Sequence, residues 1–321
     1  MYFGSVRFFK NLIFLAVCAL ILIPSLLSLK LYRQIERNAA ESAPPPVQAD
    51  DAPGLGSPNA VFEPDASSAS GPISSQSSGG GPGAVLAADP PDYESLYPDF
   101  YAPQPYAATE RAKNTIYLTF DDGPSDRTDE ILAVLAEKDV KATFFVTGKS
   151  NEKDLERMRR IVEEGHTIGM HSYTHVYGTL YASVESFLED FYKNFVQIRE
   201  TTGQSPTVFR FPGGSINGYD GGFYKELLSE MIRRGFVPFD WNISSEDAVT
   251  THIQSANTLT ANVVRGAQGK VRGFVLFHDS ETKTTTPRAL GSTIDQLRGM
   301  GFEFAAISPS TLPVLYNYEY Q

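Results

Sequence analysis

The regular alternation of two sequence patterns after Asn114 limits the folds open to this chain more than any other feature. Short apolar runs of strand length alternate with longer segments whose apolar residues recur every three or four positions. Strands that alternate with helices pair in parallel, because each helix returns the chain to the starting edge of the sheet. The pattern predicts strands at 115–120, 142–147, 166–170, 208–211, 237–241, 274–277 and 302–307. Helical segments between them predict an α/β fold whose parallel sheet is either open or closed as a barrel.

Charged and polar side chains follow several of these predicted strands. The C-terminal ends of parallel strands meet at one edge, and this is where barrel enzymes gather their active sites. The residues placed at that edge are Asp121, Asp122, His171, Arg210, Asp240 and His278. We therefore expect these side chains to converge on one site.

Two of the five histidines, His171 and His175, lie four residues apart, and Asp121 and Asp122 are adjacent carboxylates. One carboxylate and two imidazoles can bind a divalent cation and leave coordination positions open. The second carboxylate can then act as a base toward a water molecule at the metal. The combination indicates metal-assisted hydrolysis. Taken alone, the carboxylates could form only a polar turn and the imidazoles could be surface residues.

Three further clusters complete a set of five motifs in sequence order. The motifs are TFDDGP at 119–124, HSYTH at 171–175, RFPGG at 210–214, DWN at 240–242 and LFHD at 276–279. Together they resemble the polysaccharide deacetylases, the NodB-homology domain of carbohydrate esterase family 4. The resemblance covers roughly residues 114 to 312. It implies a distorted (β/α) barrel with about seven parallel strands.

The resemblance implies a metal centre formed by Asp122, His171 and His175. Its open positions would receive water and the acetyl oxygen of the substrate. Zinc is the expected ion for two imidazoles and one carboxylate, with cobalt or nickel as alternatives.

The resemblance also implies roles for four residues in proton transfer. Asp121 would be the general base, and Arg210 would pair with it, because a nearby cation favours the ionised carboxylate. His278 would be the general acid that protonates the departing amine. Asp240 would hold His278 in place and favour its protonated form.

Three residues would contact the substrate. Trp241 and Leu276 would form apolar walls around the acetyl methyl group. A backbone N–H near Gly213 would stabilise the tetrahedral oxyanion together with the metal. Many relatives carry a bulky residue, often tyrosine, where this chain has Gly213. The departure leaves the backbone amide in place and puts the shape of the sugar groove in doubt.

An apolar run lies close to the N-terminus. Residues 12–29 contain no charged side chain and, as a helix, would extend ~27 Å, close to the ~30 Å hydrocarbon core of a bilayer. Arg7 and Lys10 precede the run, as in a signal peptide, but no small-residue cleavage site follows it. We therefore predict an uncleaved signal anchor with a transmembrane helix at 1–38, with a cleaved signal as the alternative.

The composition changes after the predicted anchor. Residues 39–113 are rich in proline, serine, glycine and alanine and predict a disordered linker, which leaves 114–321 as the catalytic domain. The domain would then lie outside the cell membrane on a single-pass anchor, or be secreted if the signal is cleaved. The formal net charge of -11 argues against a nucleic-acid partner. We expect a monomer that meets a polysaccharide of the cell wall.

The activity that the resemblance implies is removal of N-acetyl groups from N-acetylglucosamine residues of a polysaccharide, with release of acetate. A tethered enzyme outside the membrane favours peptidoglycan as the substrate. Chitin oligomers, N-acetylmuramic acid, an exopolysaccharide and acetylxylan stay open, because the same catalytic core serves them all. A catalytically silent glycan-binding module is the alternative from another class, although such a module has no need of base, metal ligands and acid together.

Overall fold

Eight strands form one sheet in the part of the chain that the structure describes. The computed structural model describes residues 91–103, 114–219, 222–249 and 253–316. The strands are β1 (Thr115–Asp121), β2 (Thr143–Thr147), β3 (Thr167–Ser172), β4 (Val208–Phe209), β5 (Val237–Pro238), β6 (Ile243–Ser244), β7 (Arg272–His278) and β8 (Glu303–Phe304). All seven predicted strands are present, and the two-residue β6 is an additional one.

Helices connect most of the strands. They are α1 (Asp126–Glu137), α2 (Glu152–Glu163), α3 (Tyr177–Leu180), α4 (Val184–Thr202), α5 (Tyr224–Arg233), α6 (Ala256–Ala267) and α7 (Thr286–Gly299). Ser125, Asn151, Ser183 and Ser255 precede α1, α2, α4 and α6, and each side chain accepts a hydrogen bond from a backbone N–H of the first turn. These bonds satisfy donors that have no partner inside the helix and so fix where each helix begins.

The sheet is parallel and strongly curved. Its strand order is β5-β4-β3-β2-β1-β7-β6, and β8 pairs with the first residues of β1. β5 and β6 lie at opposite ends of this order, yet residues 239–242 join them directly. The N–H of Phe239 donates to Phe209 at 2.9 Å and that of Asn242 to Phe274 at 3.1 Å, which attaches this short segment to both ends. The sheet therefore curls into an incomplete barrel, in agreement with the predicted distorted (β/α) barrel.

Alternate side chains of β1 face the barrel interior and the surrounding helices, as the period of two in a strand requires. Ile116, Leu118 and Phe120 belong to the large apolar cluster that includes helix side chains, whereas Tyr117 belongs to a second cluster inside the barrel. Asp121 lies four residues after Tyr117 in the same strand, so its side chain is on the same inner face. The last residue of β1 therefore points into the mouth of the barrel.

Residues 91–103 fall within the predicted linker but pack on the domain. Phe100 is fully buried, and the guanidinium of buried Arg234 donates to the backbone oxygens of Leu96 at 2.9 Å and Tyr97 at 3.1 Å. Aromatic side chains in this segment supply apolar surface that the preceding proline- and serine-rich sequence lacks. Residues 91–103 therefore pack as part of the folded domain, although the sequence places them in a disordered linker.

The predicted transmembrane helix at 12–29 and the linker up to residue 90 lie outside the described residues. Within the described ranges, no helix is both long enough and apolar enough to cross a membrane.

Candidate active site

The C-terminal ends of β1 and β7 place Asp121 and His278 side by side. The two strands pair in register, with Thr119 opposite Leu276 and Asp121 opposite His278. Both side chains therefore face the barrel mouth at the same level. This pairing brings the predicted base and the predicted acid to one site, although 157 residues separate them in the sequence.

Asp122, His171 and His175 form a compact group beside Asp121. Each offers one ligand atom, and these atoms all lie within 4.8 Å of one another. Oδ1 of Asp122 is 3.5 Å from Nε2 of His171 and 3.3 Å from Nε2 of His175. The structure thus brings together the three residues that the sequence predicts as metal ligands.

The hydrogen bond made by His171 determines which of its two ring nitrogens is available to bind a metal ion. Nδ1 lies 3.0 Å from the backbone oxygen of Arg210, so it donates there and Nε2 keeps its lone pair. Burial lowers the pKa of His171 to about 3, and the ring is neutral at physiological pH. Two imidazoles and a carboxylate with converging atoms are a donor set that fits a zinc-type divalent ion.

Asp190 on α4 holds the loop that carries the two histidines. Its carboxylate accepts hydrogen bonds from Ser172 Oγ at 2.6 Å, from Tyr173 N at 2.6 Å, and from Thr174 N and Oγ1 at 3.0 and 2.6 Å. Ser172 Oγ in turn accepts from the backbone N–H of His175 at 2.8 Å. Because Ser172 and His175 both adopt positive φ, at 140° and 55°, these bonds hold a backbone conformation that L residues rarely adopt.

Arg210 is completely buried, and its guanidinium contacts Asp121 directly. Nη1 donates to Oδ1 of Asp121 at 2.8 Å and to Oγ1 of Thr119 at 2.7 Å. Nε and Nη2 donate to the backbone oxygens of Phe239 and Asp240, each at 2.8 Å. Burial raises the pKa of Asp121, and the charge and hydrogen bond of Arg210 act against that rise. The predicted contact between the two side chains is confirmed.

The carboxylate that holds His278 is Asp247, a residue that the sequence did not single out. Oδ1 of Asp247 lies 2.7 Å from Nδ1 of His278, and Oδ2 accepts from the backbone N–H of His278 at 2.8 Å and from Thr286 Oγ1 at 2.9 Å. Burial lowers the pKa of His278, but the hydrogen bond and negative charge of Asp247 outweigh this effect and raise it above its ordinary value. The prediction that Asp240 orients His278 is therefore wrong.

Asp240 instead fixes the loop after β4. Its Oδ1 accepts from Ser215 N at 2.8 Å, and its Oδ2 accepts from Ser215 Oγ and, at 2.7 Å, from Tyr316 N. These partners turn the carboxylate away from β7, whereas Asp247 follows β6, the strand paired with β7. Adjacent strands explain why Asp247, and not Asp240, reaches His278.

The residues predicted to contact the substrate lie around the same mouth. Leu276 is on the inner face of β7, two residues before His278, and is 7 % exposed. The Trp241 ring packs edge to face on Tyr316, with centroids 5.2 Å apart, and lies against the backbone of Gly214. Gly213 has φ +81°, a conformation that favours glycine.

Asp247 and Asp190 are the two site carboxylates that the sequence does not predict, and they differ in how detectable they are from sequence. Asp247 follows β6 by three residues, but a two-residue strand is too short to show a pattern. Asp190 lies among Phe187, Phe191 and Phe195 on the buried face of α4. A charged residue within an apolar stripe is a detectable signal, since a buried carboxylate requires hydrogen-bond donors.

Comparisons with known proteins agree with this site. The family model for polysaccharide deacetylase matches residues 108–227. The chain is similar to a peptidoglycan-N-acetylglucosamine deacetylase of Bacillus cereus, with 33% identity over 208 residues that cover 64% of this chain and 72% of the relative. It is similar to that of Listeria monocytogenes at 32% identity, covering 63% of this chain and 40% of the relative.

A solved structure shares the fold. The catalytic domain of peptidoglycan N-acetylglucosamine deacetylase from Eubacterium rectale is 32% identical, with a TM-score of 0.62, and the match covers 66% of this chain and 96% of that chain. The family model spans the first three of the five motifs, at 119–124, 171–175 and 210–214, and the relative from Bacillus cereus is matched over 72% of its own length. The chain therefore belongs to the polysaccharide deacetylase family of hydrolases.

Proposed function

We propose that this protein is a metal-dependent deacetylase that removes N-acetyl groups from N-acetylglucosamine residues of peptidoglycan. The observation that carries the proposal is the convergence of three groups at one barrel mouth. These are the Asp122–His171–His175 cluster, an Asp121 backed by Arg210, and a His278 backed by Asp247. Each group has a distinct task in amide hydrolysis.

The candidate metal ligands would be Nε2 of His171, Nε2 of His175 and Oδ1 of Asp122. A divalent ion bound there would supply a Lewis acid that polarises the acetyl carbonyl and lowers the pKa of a water molecule. Zinc is our expectation for this donor set, with cobalt or nickel as substitutes. Asp190 would preserve the loop geometry on which the two imidazoles depend.

Asp121 would take the proton from the attacking water. Its carboxylate is 3.8 Å from His171 at one oxygen and bonded to Arg210 at the other, so one oxygen faces the reacting centre. As the water oxygen bonds to the acetyl carbon, the carbonyl becomes an oxyanion. The backbone N–H near Gly213 would stabilise that charge.

His278 would complete the reaction as the general acid. Its Nδ1 is held by Asp247, which leaves Nε2 to give a proton to the amide nitrogen as the carbon–nitrogen bond breaks. The products are acetate and a free amino sugar. Trp241 and Leu276 would enclose the acetyl methyl group.

The names of the relatives in Bacillus, Listeria and Eubacterium support peptidoglycan as the substrate. Chitin oligomers, N-acetylmuramic acid, an exopolysaccharide and acetylxylan are the alternative substrates, because they present the same acetyl group. The proposal includes a monomeric catalytic domain outside the cell membrane, anchored through the apolar N-terminal segment.

Acetate release is the direct test. Purified peptidoglycan, chitin oligomers and acetylxylan are incubated with the protein, with and without a chelator, and the Asp121→Asn variant serves as the control. We expect release from peptidoglycan that stops on chelation and returns with zinc. Binding of the glycan without acetate release in any metal would favour the silent binding module. Faster release from acetylxylan would favour an O-esterase.

A further inference from the structure

The aromatic ring of Tyr177 occupies the space that a side chain at Gly213 would need. A Cβ atom placed on Gly213 would lie 3.0 Å from Cε1 and 3.1 Å from Oη of Tyr177. The ring therefore packs directly on the backbone beside the proposed oxyanion contact. Glycine at 213 and tyrosine at 177 are complementary in shape.

Tyr177 also contacts the candidate metal site. Its ring meets the His175 ring edge to face, with centroids 5.4 Å apart and an interplanar angle of 86°. The Tyr177 ring also contacts the ring of Tyr219, with centroids 4.9 Å apart and an interplanar angle of 66°, and Tyr219 is 62% exposed. Tyr177 is thus the inner member of an aromatic pair that extends from the metal ligands to solvent.

The loop that carries Gly213 and Tyr219 is held in place by its own polar contacts. Asn217 Nδ2 donates to Gly214 O at 3.0 Å, and the N–H of Tyr219 donates to Asn217 Oδ1 at 2.9 Å. The hydroxyl of Tyr181 donates to Pro212 O at 2.8 Å. These three hydrogen bonds hold the loop that places Tyr219 beside Tyr177.

We propose that Tyr177 is a sugar-contacting residue of the active site, which packs against the pyranose ring of the N-acetylated sugar that reacts. This inference rests on the proposed function. An aromatic ring with a polar end suits a pyranose, because the ring face packs on carbon–hydrogen groups while the hydroxyl reaches a sugar oxygen. Among the described residues the Tyr177 hydroxyl has no hydrogen-bond partner, so it is available to the substrate.

The competing explanation is that Tyr177 only packs against His175 and supports it. The two explanations predict different defects when Tyr177 is replaced. A residue that only supports His175 affects metal binding, whereas a sugar contact affects KM and substrate affinity and leaves the metal in place. Tyr177→Leu removes the ring, and Tyr177→Phe removes the hydroxyl alone. Tyr101→Leu is the matched control, since Tyr101 is 39% exposed and lies on the segment that packs beside Arg233, away from the mouth.

The experiment uses chitotetraose as the probe with the full chain loaded with zinc. For each variant we measure KM and kcat for acetate release and bound zinc per chain. We measure the dissociation constant of chitotetraose in an Asp121→Asn background, where turnover is suppressed. We expect Tyr177→Leu to raise KM and the dissociation constant about tenfold with zinc unchanged, and Tyr177→Phe to retain part of the affinity. Tyr101→Leu should match the wild type.

Two results would overturn the inference. One is equal chitotetraose affinity and KM in Tyr177→Leu and wild type, and the other is loss of zinc in Tyr177→Leu in proportion to the loss of activity. The proposed function is judged separately by the wild type. If the Asp121→Asn protein does not bind chitotetraose and the wild type releases no acetate from any glycan, both proposals fail. If the wild type is active and only the Tyr177 effect is missing, the inference alone fails.

Discussion

Nδ1 of His278 and Oδ1 of Asp247 lie 2.7 Å apart, in an ion pair that the neighbouring strands β6 and β7 bring together. Asp247 raises the pKa of His278 against the opposing effect of burial. A general acid must be protonated to act, so a higher pKa extends activity toward higher pH. With His278 as the proposed general acid, we expect this ion pair to set the basic limb of the pH profile.

The first prediction compares two aspartate variants. Asp247→Asn removes the negative charge beside His278, so the pKa of the imidazole falls and the basic limb moves to lower pH. Asp240→Asn is the matched control, because its carboxylate bonds to Ser215 and Tyr316 rather than to His278. The measurement is kcat/KM for acetate release from pH 5 to 10, with zinc content checked in both variants. A basic limb that moves in Asp240→Asn and stays in Asp247→Asn would reverse the assignment.

The adjacent carboxylates Asp121 and Asp122 should respond differently to the same change. Asp121→Asn is expected to lower kcat by ~10²–10⁴ and to keep the metal, since removal of a general base commonly costs that much. Asp122→Asn is expected to lose both the activity and the bound metal, because the Asp122 carboxylate completes the candidate metal site with His171 and His175. Bound metal per chain and acetate release are measured on the same samples. Near-normal rates in both variants would show that Asp121 and Asp122 only form a polar turn and have no catalytic role.

Asp190 is expected to control metal affinity without touching the metal. Asp190→Asn weakens the hydrogen bonds that hold residues 172–175, and loss of such a supporting contact typically lowers metal affinity by ~10–100-fold. Competitive titration with a zinc indicator gives the affinity.

A matched control for Asp190 lies one turn along the same helix. Asn194 is fully buried, and its side chain has no hydrogen-bond partner in the part of the chain that the structure describes. Asn194→Leu should therefore leave zinc affinity unchanged. Equal affinity in Asp190→Asn and wild type would show that the loop keeps its shape without the carboxylate.

Local spacing explains which parts of the site the sequence could predict. Asp122, His171 and His175 lie in short motifs at the C-terminal ends of β1 and β3, and the parallel order of the strands puts both motifs at the same edge of the sheet. The partner of His278 could not be predicted in this way, because Asp247 lies 31 residues earlier on a loop after a two-residue strand. Asp240 lies at the C-terminal end of a predicted strand, and this position makes it the more obvious candidate in the sequence. The contacts of its side chain depend on Ser215 and Tyr316, which only the folded chain brings together.

We expect the buried carboxyl of Asp279 to make the stability of the fold depend on pH. This carboxyl packs against Gly123 and accepts hydrogen bonds from Thr128 Oγ1 at 2.6 Å and Ser125 Oγ at 3.3 Å. Burial raises the pKa of Asp279 to about 8, whereas an unfolded aspartate titrates near 4. Between these values the unfolded chain releases a proton that the folded chain keeps, so the free energy of unfolding falls as pH rises from about 4 to 8 and then levels off.

Asp279→Asn removes this titration and keeps the size of the side chain. Relative to the wild type, the variant should therefore gain stability between pH 5 and pH 9, by on the order of a few kcal/mol. Urea unfolding of both proteins with chelator at the two pH values measures the difference, and the subtraction cancels groups that titrate in both. A difference in unfolding free energy that is independent of pH would show that the Asp279 carboxyl ionises normally in the folded protein.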